Sequence, residues 1–192
     1  MEALQAQRAA GHGKIGEWLV SLGYVSVQQV TTALARQCSC PVLRLSAPVS
    51  WDRPVPAIPR ALLEYHLMAP VAFVEPTATL HVAFADHVDY SVLYAVEQMT
   101  GCHTEPCIAL PSFIHSRIES IRKQQEDTEI TFECDPETLE FPRIVQSYCA
   151  RLTVPEIKVN ICDPYIWVRL FTAVRSPMDL LFHWPATVHS SS

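Results

Sequence analysis

The segment from Lys14 to Gln37 constrains the fold more than any other, because it predicts two short helices joined at a glycine. Apolar residues follow the i, i+3, i+4 and i+7 spacing of one helical face, at Ile15, Trp18, Leu19 and Leu22. Gly23 follows where a left-handed C-terminal cap is expected. Residues 26–29 have the S-x-x-Q pattern of a capping box, which begins the next helix. The sequence therefore predicts a helical hairpin.

Polar residues mark both ends of this hairpin. The second helix continues the apolar spacing through Val30, Ala33 and Leu34, and then reaches Gln37. Lys14 stands at the other end of the segment. These two polar residues are the first indication of a binding site, whereas the apolar ones are equally explained as the seam between two packed helices. Both interpretations stay open at this point.

The central part of the chain predicts an α/β unit with a small three-stranded sheet, reached through a proline-rich connector at 41–59. Apolar runs typical of strands lie at 67–74, 79–85 and 103–110. Helices are expected at 61–66, at 90–100 with an N-cap at 86–89 and an end at Gly101, and after Pro111.

Acidic residues crowd the stretch 126–140, which predicts a solvated linker. A helix is expected at 142–152, followed by a β-hairpin of runs 157–162 and 165–171 and a further run at 179–184. The predicted fold class is α+β. Its parts are a helical motif region at 1–40, an α/β part at 41–125, the linker, and a small α+β appendage at 141–192.

Composition excludes several classes of protein. With 49% hydrophobic and 18% charged residues among 192, the chain can bury a core. A net charge of -6 and the lack of a basic stripe argue against a nucleic-acid partner. The sequence contains no run of 18 apolar residues, so no membrane-spanning helix is predicted. The first residues also lack the apolar region of a secretory signal. Seven irregularly spaced cysteines fit reduced thiols, so a cytoplasmic location is expected.

Motifs for catalysis or metal binding are missing from the sequence. Only five glycines occur, and none lies in a phosphate-binding P-loop pattern. Neither the pair Cys38 and Cys40 nor the pair Cys102 and Cys107 forms the C-x-x-C arrangement of structural zinc. We therefore expect no enzyme activity and no metal. An enzyme built around Asp86 and the neighbouring histidine is the least favoured alternative.

The hairpin resembles a known motif, R-L-G-x-x-L-x-x-x-G-x-x-x-x-x-x-L-x-x-A-L-x-x-Q. The matching residues are Lys14, Ile15, Gly16, Leu19, Gly23, Val30, Ala33, Leu34 and Gln37. This motif belongs to the N-terminal domain of type II secretion and type IV pilus assembly ATPases (the GspE, PilB and MshE group), where it occurs as two tandem copies. The chain resembles that N-terminal domain, without the ATPase domain.

Further stretches extend the resemblance over residues 1–122. Residues 40–45 are similar to the family's G-x-P-x-x-x-L, and residues 67–86 to its P-L-x-V-A-x-A-D-P. The end of the helix at Gly101 is similar to its L-T-G. A fainter similarity links residues 157–170 to the strands that begin the family's ATPase half.

In family members that respond to it, the two motif copies together bind cyclic di-GMP, the one ligand that the resemblance suggests. Residues 3–7 fit the A-L-x-x-Q end of the first copy, so we expect Met1 to fall inside that copy. Lys14 replaces the family's arginine and can attract phosphate only as a point charge. The implied ligand-binding residues are Leu4, Gln7, Lys14, Ile15, Gly16, Leu19, Gly23, Val30, Leu34 and Gln37.

The sequence and the resemblance together predict a non-catalytic docking or regulatory module of a type II secretion or type IV pilus-like system. The expected partner is a secretion or pilus ATPase, or the cytoplasmic part of an inner-membrane platform protein. The alternative is a cyclic di-GMP receptor that uses a partial motif.

Overall fold

The structure is a computed structural model that describes residues 14–44, 55–124, 128–134, 140–173 and 176–184. The α-helices in these ranges are α1 (Ile15–Ser21), α2 (Val27–Gln37), α3 (Arg60–Tyr65), α4 (Tyr90–Thr100), α5 (Pro111–Gln124) and α6 (Phe141–Arg151). The strands are β1 (Met68–Val74), β2 (Thr79–Phe84), β3 (His103–Ile108), β4 (Glu129–Glu133), β5 (Glu156–Cys162), β6 (Tyr165–Phe171) and β7 (Met178–His183). The α+β class expected from the sequence is confirmed.

The first sheet has the strand order β1-β2-β3, as expected for the central unit. β1 and β2 are antiparallel, and a short 3₁₀ turn ending at the left-handed Ala78 joins them. β2 and β3 are parallel, with α4 as the crossover between them. The segment after α2 extends this sheet, because the N–H of Leu43 donates to the carbonyl of Ile108 at 2.7 Å.

Helix α4 begins and ends where its sequence predicts. The Asp89 carboxylate accepts hydrogen bonds from the backbone N–H groups of Ser91 (2.9 Å) and Val92 (3.3 Å), which is an N-cap. Gly101 follows the helix with a φ of 75° and donates its N–H to Glu97. These caps fix the end of β2 and the start of β3 relative to one another.

The main core lies between the first sheet and the helices around it. α3 and α5 pack on β1, while α2 and α4 pack on β3. Fully buried side chains fill the space between them, among them Leu62, Leu63, Met68, Leu80, Phe84, Met99 and Ile114. Among the described residues, no helix has the length and apolar character needed to cross a bilayer.

The second sheet has the order β4-β7-β6-β5 and corrects one expectation. The acidic stretch 126–140 was expected to be a solvated linker, yet Glu129–Glu133 is strand β4, paired parallel with β7. Ile130 and Phe132 alternate with Glu129, Thr131 and Glu133 and pack into the core under α6. The Glu129 carboxylate accepts hydrogen bonds from two N–H groups at the start of α3.

The C-terminal appendage is also more than a helix and a β-hairpin. β5 and β6 form the expected hairpin, but β7 and β4 continue it into a four-stranded sheet. Cys162, Trp167 and Leu181 belong to the same buried cluster as the first sheet. The Arg169 guanidinium donates to the carbonyl of Ala57 at 2.7 Å. The appendage and the central unit therefore share one core.

Candidate functional site

The turn of the helical hairpin is built on Gly23. This glycine follows α1 with a φ of 75°, a conformation that residues with a Cβ rarely adopt. Its N–H donates to the carbonyl of Val20, and the N–H of Tyr24 donates to that of Leu19, both at 2.9 Å. These two bonds form a Schellman motif, so backbone geometry alone explains the glycine.

The second helix starts at the predicted capping box. The Ser26 hydroxyl accepts from the N–H of Gln29 at 3.3 Å, and the Gln29 side chain accepts from the N–H of Ser26 at 2.8 Å. Farther along α2, Thr31 and Ala35 are buried. The hairpin is thus held to the central unit through α2, which packs on β3.

The two helices come close together at Gly16. A Cβ on this residue would lie 3.0 Å from Cγ1 of Val30, which is tighter than ordinary van der Waals contact. Two motif residues therefore meet in the seam of the hairpin. The glycine permits close helix packing, in agreement with the interpretation of the motif as a helical seam.

The other motif residues do not gather around one point. Leu19 is half-buried in α1, and Leu34 is half-buried against the main core. Ile15 and Gln37 are exposed at the first and last positions of their helices. The predicted residues Leu4 and Gln7 lie outside the described residues.

Lys14 makes the one long-range polar contact described for the motif residues. Its ammonium group forms an ion pair with the Asp86 carboxylate, just after β2. The same carboxylate contacts Nδ1 of His87 at 3.0 Å. Sequence reasoning identified both Lys14 and the end of β2, but 72 positions separate the two partners and no local pattern connects them.

A cavity of about 420 Å³ opens beside this ion pair. It is lined by Tyr65, Leu67 and Ser91 together with the ionisable residues Lys14, His66, Asp86, His87, Asp89 and Asp163. Asp89 contacts Nδ1 of His66 at 3.3 Å. The sequence missed His66 and Asp163 as members of this site, because Asp163 comes near it only through the packing of β5 beside α4.

Two carboxylates of this cavity, those of Asp86 and Asp89, stay ionised at neutral pH. Burial acts to raise the pKa of Asp86, but hydrogen bonds and charge attraction from Lys14 and His87 outweigh it and lower the pKa below its usual value. The pKa of Asp89 is also lowered, because its bonds from Ser91 and Val92 outweigh the effect of burial. Burial lowers the pKa of His66 despite the opposing attraction of Asp89, so this imidazole is neutral at pH 7.

The electrostatics of the cavity follow from these protonation states. Asp86, Asp89 and Asp163 face one ammonium group, that of Lys14, and this group is already paired. A phosphate entering here would meet more negative than positive charge. The cavity suits a cationic group, such as the side chain of a partner's lysine or arginine, better than an anion.

Exposed apolar side chains are the other feature of the hairpin. Leu22 is 45% exposed and Tyr24 is 56% exposed, and Ile15 and Val27 are exposed as well. No residue of α1 is fully buried. We call these four residues the hairpin surface. The sequence placed Ile15 and Leu22 on one apolar helical face, and among the described residues too few neighbours surround α1 to cover that face.

Cysteine and histidine side chains do not assemble into a metal centre in the part of the chain that the structure describes. No group of three or more His, Cys, Asp or Glu residues there has the geometry to hold a metal ion. Burial raises the pKa of the Cys107 thiol to about 12, so this thiol is protonated.

Comparisons with known proteins agree with the resemblance seen in the sequence. Residues 38–128 match the family model of the MshEN domain. The match begins directly after α2, so the hairpin precedes it. A comparison with curated proteins found no match. The identification of an N-terminal domain of the MshE and GspE type is confirmed for the matched range.

Some solved structures are similar to part of this chain. A structure of MshE with cdg (cyclic di-GMP) is 28% identical, with a TM-score of 0.49, over 62% of this chain and 84% of that chain. The N-terminal domain of XpsE in one crystal form is 22% identical, with a TM-score of 0.45, over 62% of this chain and 81% of that chain. In a second crystal form, the same domain of XpsE is 24% identical, with a TM-score of 0.40, over 62% of this chain and 80% of that chain.

Proposed function

We propose, from the MshEN domain that residues 38–128 match, that this chain is a non-catalytic docking and regulatory module of a type II secretion or type IV pilus-like system. The family match is the observation that carries the proposal. The matched range holds the first sheet and most of the helices packed on it, and residues outside the range, such as Ala35 and Trp167, complete the same buried core.

The hairpin surface supports docking as the mode of action. Leu22, Tyr24 and the neighbouring exposed apolar residues stand on a structural element that is fixed to the core through α2. Exposed apolar and aromatic groups on a rigid support are typical of protein interfaces, because they lose little entropy on binding. The adjoining acidic cavity would receive a basic side chain of the same partner.

The partner in this proposal is a secretion or pilus ATPase, or the cytoplasmic part of an inner-membrane platform protein. The module would act in the cytoplasm, where both kinds of protein expose domains. It would regulate the partner by binding, and its own residues would not perform a chemical step.

The test is a pairwise binding measurement with purified proteins. The full chain is titrated into the secretion and pilus ATPases, and into the cytoplasmic domains of the platform proteins, from the organism that encodes it. We expect one of them to bind with a Kd of about 10 μM or tighter, which corresponds to about -7 kcal/mol. If every one of these proteins fails to bind at 100 μM, the proposal is wrong.

A second candidate function is a receptor for cyclic di-GMP. The observation that favours it is the motif of the hairpin, in which Gly16 matches the family's glycine and Lys14 keeps the positive charge of the family's arginine. The geometry weighs against it as the first choice. The Lys14 ammonium is already paired with the Asp86 carboxylate, and two further carboxylates line the same cavity.

Calorimetry with the nucleotide distinguishes this candidate from docking. The Asp86→Asn variant removes the charge that holds Lys14, so a receptor should bind the nucleotide several-fold more tightly after this change. Glu75→Gln is the matched control, since it removes one charge at the exposed turn after β1. If neither the natural chain nor Asp86→Asn releases or takes up heat at high micromolar nucleotide, the receptor function is rejected.

A further inference from the structure

Strand β5 carries an exposed apolar row. It is the last strand in the order β4-β7-β6-β5, so one of its edges has no partner among the described strands. Ile157, Val159 and Ile161 alternate along it and are 44%, 55% and 74% exposed. We call these three residues the β5 row. Natural edge strands usually carry charged residues at such positions, so an exposed apolar row points to an interaction surface.

The β5 row lies on the face of the sheet that α6 covers elsewhere. In the antiparallel pairing, Val159 lies opposite Val168, and Ile157 lies opposite Leu170. Paired residues share a face. Val168 and Leu170 are fully buried in the small core beneath α6. The apolar layer therefore continues from β6 onto β5, while its helical cover does not.

The position of α6 explains why the cover stops. Its aromatic contacts are with the far strands: Tyr148 meets Phe132 of β4 at 6.5 Å, and Phe141 meets Phe182 of β7 at 5.7 Å. β5 lies two strands beyond β7, a distance of about 10 Å. Packed helices are also about 8–10 Å apart. Val168 and Leu170 of β6 are already buried, so one more helix beside α6 would lie above β5 and the open edge of the sheet.

One end of the β5 row runs into a small apolar cavity. This cavity has a volume of about 280 Å³ and lies between Ile161, Ile166, Pro164 and Trp184. It is large enough for one apolar side chain. Asp163 lies at its rim and places a carboxylate next to the apolar surface. A ligand of this surface would therefore pair an apolar strip with a positive charge near its end.

We propose that the β5 row binds an amphipathic helix of a partner protein, with its apolar strip along the row and a lysine or arginine beside Asp163. The helix would complete the second layer over the sheet next to α6. The β5 row shares no residue with the hairpin surface, but Asp163 also lines the acidic cavity beside the hairpin, so the module would hold two neighbouring parts of one partner, or two partners. The negative net charge of the whole chain also attracts a basic helix over a longer distance.

The proposal is tested with synthetic helical peptides and the full chain, labelled at isoleucine and valine methyl groups for NMR. One peptide of about four turns carries leucines at i, i+3, i+4 and i+7 and lysines on its flanks. A second has glutamates in place of the lysines, and a third has the same composition without an apolar strip. We expect the lysine peptide to shift the methyl signals of Ile157, Val159 and Ile161. The glutamate peptide should bind several-fold more weakly, and the third peptide should not bind.

Variants locate the binding on the surface. Ile161→Asp alters the most exposed residue of the row, so it should leave the fold intact and weaken the lysine peptide about tenfold or more. Val74→Asp is the control, since Val74 is an exposed apolar residue at the end of β1. The proposal would be overturned if the lysine peptide bound equally to both variants, or if the methyl signals of the β5 row did not shift at millimolar peptide. Self-association of the free chain that Ile161→Asp abolishes would also overturn it, because a second copy would then be the occupant.

Discussion

At the scale of single residues, the hairpin motif is explained first by backbone geometry. Gly16 allows close contact with Val30, and Gly23 provides the left-handed turn after α1. The end of α2 uses the same Schellman pattern, in which the N–H of Ser39 donates to Arg36 and the N–H of Cys40 donates to Ala35. Here a serine with a φ of 53° holds the position that usually takes glycine.

Ser39→Gly should therefore stabilise the chain. A glycine adopts the left-handed conformation without the steric cost of a Cβ, and we expect a gain of about 0.5–1 kcal/mol in the free energy of unfolding. Urea denaturation followed by circular dichroism measures it. Ser39→Ala is the control and should change the stability little, because alanine keeps the Cβ. A loss of stability in the glycine variant would contradict the assignment of this turn.

His66 makes the stability depend on pH. Burial lowers the pKa of this side chain in the folded state, whereas its pKa in the unfolded chain is about 6.5. The unfolded state therefore binds more protons as the pH falls below about 6.5, and the contribution of neutral His66 is progressively lost there.

His66→Gln should flatten the fall in unfolding free energy between about pH 6.5 and 5, where one group contributes at most about 1.4 kcal/mol per pH unit. The natural chain, measured under the same conditions, is the reference for this slope. Asp86 and Asp89 have lowered pKa values, so their protonation changes the free energy of unfolding only below about pH 4, outside this pH range. An unchanged slope in His66→Gln would contradict the buried, neutral imidazole.

At the scale of elements, acidic residues have structural roles that their composition does not reveal. Glu129 belongs to β4, and its two carboxylate oxygens accept from the backbone N–H groups of Arg60 and Ala61. A carboxylate at a helix start satisfies donors that have no partner within the helix. One side chain thereby links the second sheet to α3.

Glu129→Ala should destabilise the chain by about 1–2 kcal/mol, because two N–H groups lose their acceptor. Glu133→Ala is the matched control on the same strand, where the exposed pair with His183 contributes little. The comparison requires urea denaturation of both variants under the same conditions. Equal stability of the two would show that Glu129 does not cap α3.

The elements that the sequence predicts best are those with local signals. Ser26, Asp89 and Gly101 mark helix ends by side chains or backbone within a few residues, and the structure confirms each of them. β4 was missed because its partner β7 lies about 50 positions later and its apolar residues are only Ile130 and Phe132. The ion pair of Lys14 was missed for the same reason of distance along the chain.

At the scale of the whole molecule, one core joins the parts that the sequence divided. Trp167 and Arg169 of β6 both donate to the Asp179 carboxylate, at 2.7 Å and 2.7–2.8 Å respectively. Arg169 also reaches the carbonyl of Ala57 in the central unit. This buried network lies where the second sheet meets the segment before α3, so we expect the two sheets to unfold together.

Asp179→Ala should destabilise the chain by about 3–5 kcal/mol, because it leaves the buried Arg169 guanidinium without its carboxylate. Asp163→Ala, at an exposed position, should cost less than about 0.5 kcal/mol. In the natural chain, tryptophan fluorescence and circular dichroism should report the same transition in urea. Two separate transitions would show that the appendage is an independent domain.

The central claim is that the hairpin surface docks a secretion or pilus protein, and the most direct measurement is the affinity of hairpin variants for the partner found by pairwise titration. Leu22→Glu places a charge on this surface without disturbing a buried residue. Tyr94→Glu changes another large exposed residue, on α4, and serves as the control. We predict that Leu22→Glu weakens binding about tenfold or more while Tyr94→Glu binds like the natural chain. Equal affinities for the two variants would contradict docking through the hairpin.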